Sequence, residues 1–158
     1  MTAARSSSGA AVIRLSGRGI ATMRAVNALF ADVFDDAGSY AALPPSDAYL
    51  ADLLDDPRFI ALAALEGERV VGALAAYELR KFEQQRSEIY IYDLAVAADR
   101  RRQGIATALI DALRPVAVDA GAWVVYVQAD LEDEPAVALY TKLGKREDVL
   151  HFDIAPRA

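Results

Sequence analysis

Cysteine is absent from this chain of 158 residues, and histidine occurs once, as His151. The first absence excludes disulfides, an acyl-cysteine intermediate and thiolate metal sites, and the second excludes a metal centre built from several histidines. Basic residues are also few, because 17 Lys and Arg stand against 23 Asp and Glu, which gives a formal net charge of −6. Nucleic acid is therefore not an expected partner, since phosphate backbones require clustered positive charge. The acidic balance suits a cationic ligand.

Long apolar runs are missing as well. Residues 59–77 are largely apolar but are interrupted by Glu66, Glu68 and Arg69, which excludes a membrane-spanning helix there. Residues 1–11 are small and polar and lack the long apolar region of a secretory leader. We therefore predict a cytoplasmic protein without a membrane partner. At 158 residues and 54% hydrophobic, the chain suits one sizeable core and hence a single domain over residues 1–158.

The first half of the chain shows helical spacing and then strand patterns. Apolar residues three and four apart indicate a first helix, and Ser46 after a pair of prolines predicts the N-cap of a second. A charged turn around Gly67 separates two apolar runs that are typical of an antiparallel hairpin. The predicted elements of this half are a strand at 11–15, helices at 19–34 and 47–54, and hairpin strands at 59–65 and 70–79.

In the second half, strands and helices alternate. Pro115 is expected to kink or end the helix in which it lies, because it has no backbone N–H to donate. Gly144 is expected in the left-handed conformation that ends the last helix. The predicted elements are strands at 89–96 and 123–128, helices beginning at 104 and 135, and a closing strand near 149–154. The whole pattern predicts an α+β fold with a mixed, mostly antiparallel central sheet.

The loop between strand 89–96 and the following helix carries the most informative local pattern. Its residues 101–106 are Arg-Arg-Gln-Gly-Ile-Ala. A strand that turns through such a loop into a helix leaves the first N–H groups of that helix unpaired, and the helix dipole adds to their attraction for phosphate. Gly104 permits close approach of the backbone to a ligand. Arg100, Arg101 and Arg102 supply mobile positive charge beside it. The pattern predicts an anion site; a solvated basic turn is the alternative interpretation of these six residues alone.

The pattern Arg-x-x-Gly-x-Ala, after a strand that ends in Asp-Leu-Ala-Val at 93–96, resembles the acetyl-CoA pyrophosphate loop of the GNAT superfamily of N-acetyltransferases. That family also has a second strand and then a helix that carries a tyrosine, and residues 123–128 and Tyr140 follow in that order. The resemblance implies a GNAT fold, acetyl-CoA as cosubstrate, and direct attack of an amine on the thioester in a ternary complex. The residues that it assigns to acetyl-CoA are Leu94, Ala95, Val96, Arg101, Arg102, Gln103, Gly104, Ile105, Ala106 and Thr107.

The same resemblance implies catalytic roles for two side chains. Tyr140 occupies the family's position for the group that protonates or stabilises the departing CoA thiolate, although a tyrosine at this helical spacing also suits a core. Asp93 lies near the point where the family's sheet splays, so it is the first candidate to take the amine's proton or to hold its ammonium group. The alternative is a structural aspartate bound to nearby backbone. Glu88 and Asp130 are second candidates for the base.

Longer runs, among them 59–64, 87–96 and 135–144, resemble aminoglycoside 3-N-acetyltransferases of type I more closely. This resemblance implies acetylation of the 3-amino group of a gentamicin-like aminoglycoside, and hence antibiotic resistance. Carboxylates bordering the acceptor site would attract such a polycation. The predicted acceptor-binding residues are Asp35, Asp36, Glu83, Glu88, Asp130 and Asp153. Many GNAT members carry an asparagine before the tyrosine helix, whereas residues 130–135 here contain none; the type I group also lacks it.

Three alternative functions stay open at this point. A polyamine or other small-amine acetyltransferase would also bind a polycation, so charge does not separate it from an aminoglycoside enzyme. A non-catalytic acyl-CoA-binding module would keep residues 101–106 but would tolerate loss of Tyr140 and Asp93. A protein-modifying acetyltransferase would need an open peptide groove. A homodimer is compatible with the apolar, alanine-rich strand at 70–76.

Overall fold

A computed structural model describes residues 9–156. Residues 1–8 and 157–158 lie outside the described residues. Most of segment 1–11, for which no secretory leader was predicted, therefore lies outside them too. The chain divides into two compact units after Gln128. The interpretation of the whole chain as a single domain stays a prediction. Among residues 9–156, none of the helices combines the length and apolar character needed to cross a membrane.

The first unit is built on a five-stranded sheet in the order β1-β2-β3-β4-β5. Strands β1 to β4 pair antiparallel, and β5 lies parallel to β4. The strands are β1 (Ala11–Arg14), β2 (Phe59–Glu66), β3 (Arg69–Arg80), β4 (Ser87–Val96) and β5 (Ala122–Val127). This arrangement confirms the predicted α+β fold with a mixed, mostly antiparallel sheet. Gly67 has φ 61°, so the turn of the predicted hairpin uses the conformational freedom of glycine.

The helices of this unit cover both faces of the sheet. Apolar side chains of α1 and α3 pack in one cluster with Ala73 and Ala75 of β3, whereas Gly72 faces Ile105 and Leu109 of α4. Because neighbouring strand residues point to opposite faces, α4 lies on the face opposite to α1 and α3. The helices are α1 (Ile20–Val33), α2 (Ala37–Tyr40), α3 (Asp47–Asp55) and α4 (Ile105–Asp119), with a 3₁₀ turn at Ala98–Arg100.

Three details of these helices bear on the predictions. Ser46 is the N-cap of α3 and accepts a hydrogen bond from Tyr49 N at 3.2 Å, as predicted. The short helix α2 was not predicted. Pro115 lies inside α4 and does not end it. Both Pro115 and Asp111 are exposed, so water can satisfy the Asp111 carbonyl that the missing N–H leaves unpaired.

The second unit contains α5 (Glu134–Leu143), whose N-cap Asp133 accepts from Ala136 N at 3.2 Å. The left-handed conformation predicted for Gly144 is wrong, because this residue is extended, with φ −150°. Its N–H donates to Tyr140 O at 2.9 Å, which ends the helix without a left-handed residue.

The closing strand predicted near 149–154 is also wrong, since none of the described residues after α5 is in a strand. The apolar side chains of this segment are 69–90% exposed. An alternating apolar pattern forms a strand only where a neighbour completes the hydrogen-bond ladder, and no described strand pairs with these residues. The exposed apolar residues are Val149, Leu150, Phe152 and Ile154.

Candidate active site

A β-bulge in β4 determines which side chains share one face of the sheet. Asp93 pairs with Ala75 and Ile91 pairs with Ala76, so Tyr92 is the extra residue. Strict alternation would place Tyr92 and Asp93 on opposite faces, and a bulge re-aims side chains in this way. The ring of Tyr92 contacts Tyr77 at 5.9 Å between centroids, and Asp93 is hydrogen-bonded to Tyr40 of α2. Both side chains therefore lie on the face that α1 and α3 cover.

Beyond the bulge, β4 loses its neighbour β5. The last paired residues are Ile91 and Val127, whereas β4 continues to Val96. Ala97 N donates to Val71 O at 2.9 Å, toward β3. Because backbone direction alternates along a strand, the N–H groups of Val96 and Leu94 point to the other edge, where β5 has ended. The sheet is thus open at the position where the family resemblance places the thioester and the pantetheine arm.

The loop at residues 101–106, named here the cradle loop, follows this open edge directly. Arg102 and Gly104 have positive φ of 60° and 77°, and α4 begins immediately afterwards at Ile105. Ala108 N donates to Gly104 O at 2.9 Å. The N–H groups of residues 105–107 come before this first intrahelical bond and have no acceptor within the helix. The N-cap residue, Gly104, offers them no side-chain hydrogen bond. The backbone therefore presents N–H groups and the positive end of the helix dipole, which is the arrangement that binds phosphate.

Gly72 of β3 allows the start of α4 to lie close to the sheet. A Cβ at this position would stand 2.6 Å from Cγ2 of Ile105 and 3.3 Å from Cδ1 of Leu109. The absence of a side chain at Gly72 therefore sets the distance between the sheet and the cradle loop. Its neighbours on the strand, Val71 and Ala73, are fully buried.

The arginines of this region do not share one role. Arg100 Nε lies 3.0 Å from Glu66, and its Nη1 lies 2.9 Å from Asp99. The interpretation of Arg100 as mobile positive charge is therefore wrong, because its guanidinium is fixed by two carboxylates. Arg101 and Arg102 are exposed, and Arg101 Nε lies 3.5 Å from Val96 O at the open edge. These two remain the predicted cationic residues of the cradle loop.

Asp93 is a half-buried carboxylate whose position is set by its neighbours. Burial raises the pKa of Asp93, and the hydrogen bond from the Tyr40 hydroxyl opposes that rise without cancelling it. The Tyr40 ring is held by Phe30 and Phe34 at centroid distances of 5.7 and 5.8 Å. Burial and the nearby carboxylate raise the pKa of Tyr40, so it stays a hydrogen-bond donor at neutral pH. A carboxylate with a raised pKa is a stronger base than an ordinary aspartate.

The predicted acceptor residues Asp35 and Asp36 lie next to α2. Asp36 is the N-cap of this helix and accepts from Ser39 N at 2.9 Å. Hydrogen bonds from the Ser39 side chain and then from its backbone lower the pKa of Asp36. Its negative charge also contributes to the raised pKa of Tyr40. Asp35 is exposed and adopts a left-handed conformation with φ 52°. Asp35 and Asp36, named here the acidic link, therefore lie in the segment that leads to Tyr40, the tyrosine that contacts Asp93.

Glu83 and Glu88 lie near the other end of β4. Glu88 is 3.5 Å from Lys81 Nζ and accepts from Trp123 Nε1 at 3.1 Å. Glu83 pairs with Arg86 at 3.4 Å and with Lys81 at 3.8 Å. A hydrogen bond from its own backbone N–H, and to a smaller extent these partners, lower the pKa of Glu83. At about 3.3 Å per strand residue, Glu88 lies roughly 16 Å along β4 from Asp93. The structure does not bring these two glutamates together with Asp93.

The remaining predicted residues belong to the second unit. Burial raises the pKa of Tyr140 to about 12, with a smaller contribution from the charge of Asp133, so its phenol is protonated at neutral pH. Asp130 is exposed, and its carbonyl accepts from Asp133 N at 3.1 Å. Asp153 is exposed and lies 3.0 Å from Nε2 of His151.

The sequence analysis missed Tyr40 and the ring contacts around Tyr92. The period-two spacing of Tyr90 and Tyr92 was a visible signal for a shared face. Asp36 three residues before Ser39 was a signal for the capped helix that positions Tyr40. The contact between Tyr40 and Asp93 joins residues far apart in the chain, and local patterns do not report it.

Residues 17–145 match the model of the acetyltransferase (GNAT) family. This match spans most of the chain, including β4, the open edge and the cradle loop, and the chain therefore belongs to the GNAT family of acetyltransferases. Acetyl-CoA is the acetyl donor of this family. The chemistry of the cradle loop fits its phosphates, as described above.

Solved structures similar to this chain include two aminoglycoside acetyltransferases from uncultured soil metagenomic samples. HMB0005 is 56% identical, with a TM-score of 0.90 over 92% of this chain and 97% of that one. Meta-AAC0020, in complex with sisomicin, is 30% identical, with a TM-score of 0.85 over 92% and 95% of the two chains. A third relative, N-acetyltransferase 8B of Rattus norvegicus, is 32% identical over 89 residues; the match covers 56% of this chain and only 40% of that protein's length.

Proposed function

We propose that this enzyme transfers acetyl from acetyl-CoA to the 3-amino group of a gentamicin-like aminoglycoside. Removing one ammonium charge would weaken the drug's binding to its RNA target and so confer resistance. The observation that carries the proposal is the half-buried carboxylate of Asp93, which lies directly before the β4 segment that has lost its β5 partner. Similarity to aminoglycoside acetyltransferases, one of them in complex with sisomicin, supports this class of acceptor.

Acetyl-CoA is held mainly by backbone in this proposal. Its pyrophosphate lies on the cradle loop and the first N–H groups of α4, with Arg101 and Arg102 adding positive charge. The N–H groups of Leu94 and Val96 bind the pantetheine arm and the thioester oxygen at the open edge. Hydrogen bonds to that oxygen strengthen as negative charge develops on it in the tetrahedral intermediate.

Asp93 acts on the acceptor amine. The ammonium group binds the carboxylate and loses a proton to it, directly or through water, because only the neutral amine has a free electron pair. The nitrogen then attacks the thioester carbonyl and a C–N bond forms. The attached nitrogen releases its second proton to water, and collapse of the tetrahedral intermediate breaks the C–S bond. The raised pKa of Asp93 brings its basicity closer to the working pH, which favours this proton transfer.

Tyr140 assists the departure of CoA in this proposal. With a pKa of about 12, its phenol is a weaker acid than an ordinary thiol, whose pKa is about 8.5. Complete proton transfer to the thiolate is therefore uphill, and donation of a hydrogen bond to the sulfur is the favoured role. The thiolate takes its proton finally from solvent or from the proton released by the amine.

The acidic link near α2 attracts the polycationic acceptor in this proposal. Asp36 acts on Tyr40 through its charge, and Asp35 precedes it in the chain, so an ammonium group beside Asp36 would be near the tyrosine that contacts the reacting carboxylate. Glu83, Glu88, Asp130 and Asp153 stay the predicted binding residues for further ammonium groups of the acceptor. Glu83 and Glu88 would first have to give up part of their pairing with Lys81.

The proposed function is tested by release of free CoA thiol from acetyl-CoA in parallel reactions with gentamicin, sisomicin, spermidine or no acceptor. The protein contains no cysteine and so adds no thiol background. We expect fast release with the two aminoglycosides, and NMR of the product should place the acetyl group on the 3-amino nitrogen. Release with spermidine alone would replace the aminoglycoside by a polyamine. Silence in every reaction, with CoA still raising the melting temperature, would instead indicate a binding module.

A further inference from the structure

A row of tyrosine rings crosses the sheet beside Asp93. Tyr77 of β3 contacts Tyr92, Tyr92 contacts Tyr90 at 5.6 Å, and Tyr90 stacks on Tyr126 of β5 at 4.9 Å with an angle of 9° between the rings. We name these four residues the tyrosine row. Phe59 of β2 extends it, at 5.2 Å from Tyr77. The tyrosine row therefore joins three neighbouring strands, and Phe59 adds a fourth, on the face that carries the proposed base.

Within the tyrosine row, Tyr92 stands apart by its exposure. It is 61% exposed, against 37% for Tyr77, and it is the extra residue of the β-bulge. A bulge interrupts the hydrogen-bond ladder of its strand, and an exposed ring buries little apolar surface in return. Packing alone thus does not account for an aromatic ring at this position.

The row has the chemistry to bind a ring that carries an ammonium group. The face of a tyrosine ring attracts a cation within about 6 Å of its centre, and a flat aromatic surface packs well against the C–H face of a saturated ring. The row is flanked by the carboxylate of Asp93 beyond the bulge, and the chain has a net charge of −6. Charge and shape both match an amino sugar or aminocyclitol rather than a neutral or anionic ligand.

We propose that the tyrosine row is the floor of the acceptor site, and that the exposed ring of Tyr92 binds an ammonium-bearing ring of the acceptor next to Asp93. This inference rests on the proposed function and specifies how its acceptor is held. Tyr92 determines specificity in this account, because its ring favours acceptors that carry an ammonium-bearing ring. It binds the acceptor equally in the ground state and in the transition state. Its loss therefore raises the acceptor KM and leaves kcat nearly unchanged.

The test compares two substitutions of the same residue by steady-state kinetics on the full chain. Tyr92→Phe keeps the aromatic face, so its acceptor KM for sisomicin should stay within about twofold of wild type. Tyr92→Leu removes that face and should raise the acceptor KM about tenfold, the effect of a cation–π contact of ordinary strength. Both variants should keep the wild-type kcat and the wild-type KM for acetyl-CoA.

Phe82→Leu is the matched control, because Phe82 is 99% exposed in the loop before β4 and belongs to no ring contact described here. Its acceptor KM should not change. An unchanged acceptor KM in Tyr92→Leu, with wild-type enzyme active on sisomicin, would overturn the inference and leave the proposed function intact. Wild-type enzyme that ignores aminoglycosides but acetylates spermidine would overturn the proposed function and, because spermidine carries no ring, the inference with it. A wild-type enzyme that acetylates neither would overturn both.

Discussion

The proposed acetyl-CoA region and the proposed acceptor face of this protein are built in different ways. The cradle loop and its flanks are contiguous: a 3₁₀ turn, two residues with positive φ and the start of α4 all fall within residues 98–119. The acceptor face instead combines side chains from α2, β3, β4 and β5, which are far apart in sequence. A ligand shared by a whole family can be held by backbone, whereas a particular acceptor requires side chains that the fold brings together.

This difference predicts separate kinetic effects for the two regions. Changes at the cradle loop should alter the KM for acetyl-CoA with every acceptor. Changes at the acceptor face should alter the acceptor KM or the pH dependence and leave acetyl-CoA binding intact. A cradle-loop substitution that changed the acceptor KM, or an acceptor-face substitution that changed the KM for acetyl-CoA, would contradict this separation.

The largest effect is expected for Asp93→Asn, which keeps the size of the side chain but cannot take a proton. We expect kcat/KM for the acceptor to fall by about 10²- to 10⁴-fold, the range typical of general-base catalysis. Because burial raises the pKa of Asp93, wild-type activity should be lost as the pH falls through a value above the ordinary pKa of about 3.9. That acidic limb should be missing in the variant.

Asp32→Asn, at an exposed position of α1, is the matched control and should change neither rate nor pH profile. The melting temperature of Asp93→Asn should not decrease at neutral pH, since the substitution removes a charge whose burial is unfavourable. An Asp93→Asn enzyme with the wild-type pH profile would show that another group is the base.

A smaller effect is expected for Tyr140→Phe, which removes only the phenol oxygen. We expect kcat to fall about tenfold to a hundredfold, because the CoA thiolate is a moderately good leaving group without help. The dissociation constant of CoA, measured by calorimetry, should be unchanged. Turnover equal to wild type would remove Tyr140 from the mechanism.

Gly72→Ala should have the smallest effect on rate, and that effect should fall on acetyl-CoA alone. The new methyl group would press on Cγ2 of Ile105 and shift the start of α4. Such overpacking costs about 1–3 kcal/mol and should lower the melting temperature, together with a severalfold rise in the KM for acetyl-CoA. The double variant Gly72→Ala with Ile105→Leu removes the clashing branch and should recover part of both losses. A changed acceptor KM would contradict the separation of the two regions.

The separation also explains which features could be predicted from the sequence. The hairpin, the N-cap at Ser46 and the course of the chain from β4 through the cradle loop into α4 depend on neighbours within a few residues, and these structural predictions were confirmed. The anion site at the cradle loop stays a prediction. The fixed Arg100 could not be predicted, because its partner Glu66 lies on another strand. Likewise the bulge at Tyr92 depends on the register with β3, and the contact of Tyr40 with Asp93 depends on how α2 packs on the sheet.

The wrong predictions of secondary structure share one physical cause: each depended on contacts or solvent exposure that the local sequence does not specify. Local patterns predicted a closing strand near 149–154, but a strand requires a partner's backbone, which a sequence pattern does not supply. Pro115 was expected to kink or end α4; the helix does not end there, and the carbonyl left without a donor belongs to exposed Asp111. The left-handed Gly144 was predicted from residue type alone, whereas the observed backbone is extended.

A crystal structure of the enzyme with CoA and sisomicin would test the central claim most directly, because it locates the reacting nitrogen. Our account predicts that the 3-amino nitrogen lies about 2.6–3.2 Å from a carboxylate oxygen of Asp93, or is joined to it through one water. Its ring should lie against Tyr92. A complex with a different nitrogen nearest Asp93, or with the drug bound only beside Glu83 and Glu88 and no nitrogen near Asp93, would contradict it.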